Sequence, residues 1–170
     1  MVVFSHVASL LAQEKQQKEA LVRAAYIYNF CLFVEWPQTA FHDKREEIVV
    51  GIAGRDSFID IVTDAVRDKT AQGRTFKVIR INSITDAMRT QVLFLGFPET
   101  EKNESYIAAL RYSPIMTVGD DPKFAEKGGV IRLFSEQGSV RYEINLASAK
   151  SAHIEFQSRL LSMARITGRP

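Results

Sequence analysis

Hydrophobic and polar positions along this chain follow two periods in turn. From Glu14 to Val34 the spacing is helical. Leu21, Ala25, Tyr28 and Leu32 stand at i, i+4, i+7 and i+11, which predicts one apolar face. Pro37 stops that helix, and Trp36 before it is biased toward extended backbone. Ile48 to Ala53 is a short continuous apolar run, the pattern of a strand buried on both faces. Asp56 to Asp68 returns to helical spacing, with Phe58, Ile61, Val62 and Ala65 on one side. The alternation then continues: strand Thr75 to Ile81, short helix Ile84 to Thr90, strand Val92 to Phe97 ended by Pro98, helix Asn103 to Tyr112, strand Ile115 to Val118. Strands and helices alternating at these lengths predict right-handed βαβ units and a largely parallel sheet.

The pattern changes after Gly119. Val130 to Phe134 and Ser139 to Asn145 read as two strands joined by Ser135 to Gly138, an antiparallel hairpin whose glycine serves the turn. A helical turn over Ala147 to Ala152, an edge strand over Ile154 to Phe156 and a last helix over Gln157 to Arg165 follow. Leu160, Leu161 and Ala164 would face inward from that helix. The predicted fold is therefore α/β: a mixed, largely parallel sheet with helices on both faces, closed by a C-terminal antiparallel hairpin.

Composition adds limits. The 170 residues suit a single domain, which we place at 13–170. Lys+Arg at 22 against Asp+Glu at 20 leaves a net charge of +2. The basic residues are scattered, and the densest run, Lys44-Arg45, is followed at once by Glu46-Glu47. That argues against a nucleic-acid partner, which calls for a basic patch or arm. The one cysteine, Cys31, has no disulfide partner, and its neighbours Phe30, Leu32 and Phe33 suggest a buried thiol. No apolar run is long enough to span a bilayer. Met1 to Ala12 is mostly apolar and small, and a polar run from Gln13 to Lys18 follows it. It reads as the apolar half and cleavage region of a secretory signal, although it lacks a basic leader. The alternatives are a frayed N-terminal helix and a late start codon.

Candidate chemistry is sparse. Gly51-Ile-Ala-Gly54 lies between a strand and a helix opening at Asp56-Ser57, where backbone amides can hold a phosphate. It lacks the third glycine of a dinucleotide fingerprint and the Gly-Lys-Ser/Thr of a P-loop, and Asp56 brings an opposing charge. The plainer expectation is a tight turn capped by Asp56 or Ser57. Asp120-Asp121 invites comparison with a phospho-acceptor receiver, but the first and third strands end in Ala53-Gly54 and Gly96-Phe97 rather than acids. Asp120-Asp121-Pro122 would instead open a short helix. His6, His42 and His153 form no ligand pair and no nucleophile motif. Glu35 beside Trp36 is either a carboxylate with a raised pKa or an exposed helix-end residue.

Gly128-Gly129 before a strand suggests strained backbone or close approach. Arg132 and Arg141, on adjacent strands, would make a small anion-holding patch if they share a face, unless Glu143 neutralises Arg141. No metal site and no cofactor is expected.

These residues resemble a known family. Ala25 to Phe33 with Glu35-Trp36-Pro37, then Val49 to Gly54 with Phe58, Val92 to Leu95 and Met116 to Val118, are similar to the YfiR-like family of bacterial periplasmic proteins. The strongest likeness is Phe124-Ala-Glu-Lys-Gly-Gly-Val-Ile131, followed by Val140 to Leu146, Ser158 to Leu161 and Ala164-Arg165. The resemblance runs from about residue 19 to 166. It implies a periplasmic regulatory protein, not an enzyme, that represses an inner-membrane diguanylate cyclase from the periplasmic side and so controls cyclic di-GMP and biofilm. It also implies a homodimer, and sequestration by a peptidoglycan-associated outer-membrane lipoprotein. The family's best-known member has disulfide-forming cysteine pairs; Cys31 stands alone here, so redox control does not carry over. The competing expectation is a small-molecule-binding sensory module. For partner binding we single out His153, Ile154, Glu155, Phe156, Arg159 and Arg165. Apolar and polar side chains alternate there as in an edge strand, with arginines on either side. The alternative is that Ile154 and Phe156 close the core beneath the last helix.

Overall fold

The computed structural model describes residues 2–43 and 46–168, with side chains from residue 9 onward in the first helix. Met1, Lys44-Arg45 and the His6 side chain lie outside the described residues.

A long helix, α1 (Val2–Phe33), runs directly into the two-residue strand β1 (Val34–Glu35). The helix includes the segment read above as a signal remnant. A 3-10 turn at Gln38–Ala40 follows Pro37. Then come β2 (Ile48–Ala53), α2 (Ser57–Val66), β3 (Phe76–Arg80), α3 (Ile84–Ala87), β4 (Val92–Leu95), α4 (Thr100–Leu110) and β5 (Met116–Gly119). The C-terminal part holds β6 (Ile131–Glu136), β7 (Ser139–Asn145), α5 (Leu146–Ser151), β8 (Glu155–Phe156), α6 (Ser158–Leu161) and β9 (Arg165–Thr167).

Seven strands form the main sheet in the order β3-β2-β4-β5-β6-β7-β9. The first five are parallel, β7 runs antiparallel to β6, and β9 runs parallel to β7. The expected mixed, largely parallel sheet with a closing hairpin is present. Gln137 and Gly138 at the tip have φ of 50° and 76°, the two positive values a two-residue hairpin turn needs to match the strands' twist.

Both faces of the sheet are covered. On one, Ala24, Ile27, Phe30 and Val34 from α1 and its end pack with Phe58 and Val62 of α2 over Ile52, Phe94, Val118, Leu133 and Ile144. On the other, Tyr106, Ile107 and Leu110 of α4 pack over Leu93 and Leu95. β2 and β4 are thus buried on both sides, which is why their sequences read as unbroken apolar runs.

Three expectations need correction. The buried face of α1 is Ala24, Ile27, Phe30 and Cys31; Leu21 is 52% exposed and Ala25 is also exposed. Nearly every position from Leu21 to Val34 is apolar, so spacing alone left the phase free. The last helix is only α6, and the chain then turns into β9, an edge strand in place of the expected helical end at Arg165. Pro122 opens turns over 122–128 rather than a helix. Asp121 organises them, accepting from the Lys123 amide at 2.8 Å and the Thr100 hydroxyl at 2.8 Å.

Cys31 is fully buried, and burial pushes its thiol pKa well up. Gly128 has φ of +98°, and Gly129 lies where a Cβ would run into the Phe124 ring, so both strain and close approach occur at this pair.

Candidate functional site

Three surface features stand out, and they divide the residues singled out from sequence. The first is a groove of about 510 Å³ beside α5 and β8. Asn145 caps α5 by accepting from the Ser148 amide at 3.0 Å. The helix closes at His153, whose φ of 56° is left-handed, with the Ile154 amide donating back to the Ala149 carbonyl at 2.9 Å. That closure turns Ile154 into the core at 2% exposure and leaves His153 and Glu155 exposed. Ala149, Ile154, Phe156 and Leu161 give the groove its apolar lining, and Lys150, His153 and Glu155 its polar one. Ile154 therefore fits the alternative reading, closing the core while the groove opens over it.

β8 is not a free edge on both sides. It pairs antiparallel with β1, Val34 opposite Phe156 and Glu35 opposite Glu155, and the Gln157 amide donates to the Phe33 carbonyl at 2.9 Å. Two exposed glutamates thus stand directly across a strand pair, where like charges are unfavourable. Arg159 lies beyond, its guanidinium 5.4 Å from the centre of the Phe33 ring.

The second feature is the outer face of β6, β7 and β9. Arg132 and Arg141 do share it, but Arg132 is committed: its Nε and Nη2 donate to the two carboxylate oxygens of Glu143 at 2.7 and 3.1 Å. The expected ion pair of Glu143 is formed with Arg132, across the strands, rather than with Arg141. Arg141 stands opposite Phe134 and is exposed. The Phe134 ring lies between two guanidiniums, Arg132 at 4.5 Å and Arg165 at 4.6 Å. Arg165 also pairs with Glu136 at 2.8 Å, so it belongs to this face and not to the groove.

The third feature adjoins the Gly54 turn, where the sequence offered only a weak phosphate-holding turn, and its charged residues were not brought together from sequence. In an open α/β sheet the crevice beyond the carboxyl ends of the strands, where strand order reverses, is the usual place for a ligand. Here β2 stands between β3 and β4, so the reversal lies between β2 and β4. Beyond their ends is a crevice of about 840 Å³, bounded by α1 on one side and the start of α2 on the other. Asp120, just after β5, accepts from Arg55 at 2.5 Å and from Arg23 of α1 at 2.7 Å. Glu19 lies 3.7 Å from Arg23 and accepts from the Ser135 hydroxyl at 2.9 Å. Neither Asp56 nor Ser57 caps α2 through its side chain, contrary to expectation; Asp56 turns instead to Arg80 at 3.0 Å. The only local hint was an arginine directly after the Gly54 turn. Its partner, 65 residues on, carries no pattern that sequence spacing could reveal.

Among the described residues no three His, Cys, Asp or Glu side chains converge as a metal site, and no helix is long and apolar enough to cross a membrane. An open sheet sandwiched between helices, with a groove beside α5 and a charged crevice between α1 and α2, defines an α/β domain. The chain belongs to the YfiR/HmsC-like family, whose model matches residues 20–165. No curated protein matches the sequence significantly. Among solved structures, a conserved domain protein from Vibrio cholerae O1 biovar El Tor is similar at 14% identity and a TM-score of 0.53, covering 71% of this chain and 54% of that one. An ABC domain from Streptococcus pneumoniae in complex with L-Trp aligns at 11% identity and a TM-score of 0.49, covering 70% and 55%. The chain thus spans about half the length of these structures, and the first supports the fold alone.

Proposed function

We propose that this protein represses a membrane-bound diguanylate cyclase by docking onto its periplasmic part, so that release of the chain raises cyclic di-GMP and promotes biofilm. Family membership over residues 20–165 carries this reading. The surface we assign to the partner is the groove beside α5 with the adjoining β1–β8 edge. It combines an apolar slot able to take a partner's side chain with two opposed, exposed glutamates that a partner's lysine or arginine would neutralise. His153, Glu155 and Phe156 contact the partner in this reading, Arg159 flanks them, and Ile154 supports them from the core. In the same reading the chain is a homodimer, and a peptidoglycan-associated outer-membrane lipoprotein sequesters it.

The test is the double substitution Glu155→Arg with Arg159→Glu. Both residues are exposed, so thermal stability should stay within about 1 kcal/mol. Cells carrying the variant should show raised cyclic di-GMP. Normal repression by the folded variant would place the docking surface elsewhere.

A further inference from the structure

We propose that the crevice beyond β2 and β4 is a binding site for a small organic polycarboxylate, one carboxylate of which takes the place of Asp120 between Arg23 and Arg55. The pair of guanidiniums is already arranged around a carboxylate. Asp120 Oδ2 receives both, Arg55 at 2.5 Å and Arg23 at 2.7 Å, while its Oδ1 has only a 3.4 Å contact from Arg55. Arginine forks suit planar carboxylates, and two of them on one group form a receptor rather than a surface pair.

Arg55 is held for this task without being buried. Its guanidinium lies 5.6 Å from the centre of the Phe94 ring, and Gly96 leaves it room, since a Cβ there would stand 3.1 Å from the Arg55 Cβ. Its side chain nevertheless remains 41% exposed, against 17% for Asp120 and 14% for Arg23. A ligand can therefore reach Arg55 from the crevice while Asp120 swings outward. Asp56, the acid that would oppose an anion here, is drawn off to Arg80.

Along α1 from Arg23, Gln13, Gln16 and Gln17 also line the crevice, and side-chain amides can donate to a second carboxylate of a ligand whose first sits on the arginines. Glu19, bound by the Ser135 hydroxyl, keeps the lining from a net positive charge. Anions without the geometry to displace Asp120 gain little by entering. The space, about 840 Å³, is large for an inorganic ion and ample for a di- or tricarboxylate.

The experiment measures the melting temperature of the full chain and of two variants against citrate, with sodium chloride at matched ionic strength and inorganic phosphate as controls. Citrate should stabilise the native protein saturably, and chloride should not. Asp120→Asn removes the internal competitor and should respond at a citrate concentration at least ten-fold lower. Arg55→Gln keeps the Arg23–Asp120 pair and should not respond at all. The proposal is overturned if Asp120→Asn folds and shows no citrate response, or if Arg55→Gln responds like the native chain. An equal response to phosphate would overturn the assignment to polycarboxylates. If Asp120→Asn fails to fold, the contrast between the native chain and Arg55→Gln decides alone. None of these outcomes depends on whether the protein represses a cyclase.

Discussion

Arg132 and Glu143 face each other across β6 and β7, joined by two hydrogen bonds at 2.7 and 3.1 Å, with Glu143 only 6% exposed. Such a pair resists the loss of one partner more than the loss of both, because a single substitution strands a desolvated charge. Arg132→Met alone should therefore cost about 3 kcal/mol of stability. Adding Glu143→Leu should recover much of that loss. A double-mutant cycle in urea would check this, and simple additivity of the two losses would show that the pair is not coupled.

Phe124 fills the gap that two glycines leave. A Cβ on either Gly119 or Gly129 would meet its ring. Gly119 has ordinary backbone geometry, so the demand there is for space and not for a special φ. We expect Gly119→Ala and Gly129→Ala each to destabilise by about 1–3 kcal/mol through overpacking. Adding Phe124→Leu should soften the effect of either alanine, as read from denaturant midpoints.

The strands that sequence shows best are the ones buried on both faces. Val92 to Leu95 is fully buried and reads as an apolar run because nothing polar could sit there. The phase of α1 was hidden for the opposite reason: apolar residues surround the helix between Leu21 and Val34, and the sheet, not the spacing, selects Ala24 and Ile27. β9 has only three residues, and its parallel register on β7, with Arg165 beside Glu143, is one no local pattern announces. The pairing of Val34 with Phe156 likewise joins the two ends of the domain. At the sites, the alternation of Ile154, Glu155 and Phe156 was legible, with Ile154 inward and Glu155 outward, but the groove beside it was not. Nor was the crevice, since Arg23, Arg55 and Asp120 meet only through the fold.

Two buried acids make stability fall in alkali. Burial raises the Cys31 thiol well above its ordinary 9.0, and burial, with the neighbouring Tyr26, pushes the Tyr142 hydroxyl up to about 12 from 10.0. In each case the folded state keeps a proton that the unfolded chain has lost. Their contribution is intact below the unfolded values and is lost as pH rises toward the folded ones. Stability should start to fall near pH 9 through Cys31 and steepen between pH 10 and 12 through Tyr142. Tyr142→Phe should flatten the second part. It should also cost about 1 kcal/mol at neutral pH, since the hydroxyl's 2.8 Å bond to the Leu160 carbonyl is lost. An unchanged slope between pH 10 and 12 in that variant would assign the alkaline loss to other groups.

Glu35 and Glu155 offer a way to set stability and function against each other. They stand directly opposite across the β1–β8 pair, both exposed, a register that places like charges on facing positions, where they are unfavourable. Glu155→Arg converts that arrangement into an opposite-charge pair. Repairing a cross-strand mismatch at an exposed position should raise stability by about 0.2–1 kcal/mol, more at low salt than at high. If the two glutamates exist to receive a basic side chain of the cyclase, the same substitution should abolish repression by meeting that side chain with a like charge. The expected result is thus a chain that melts higher and represses less. Glu155→Gln, which relieves the repulsion without reversing it, should fall between the two in cyclic di-GMP level. A Glu155→Arg protein that is more stable and still represses fully would separate the acidic pair from partner recognition, and leave the apolar groove to act without it.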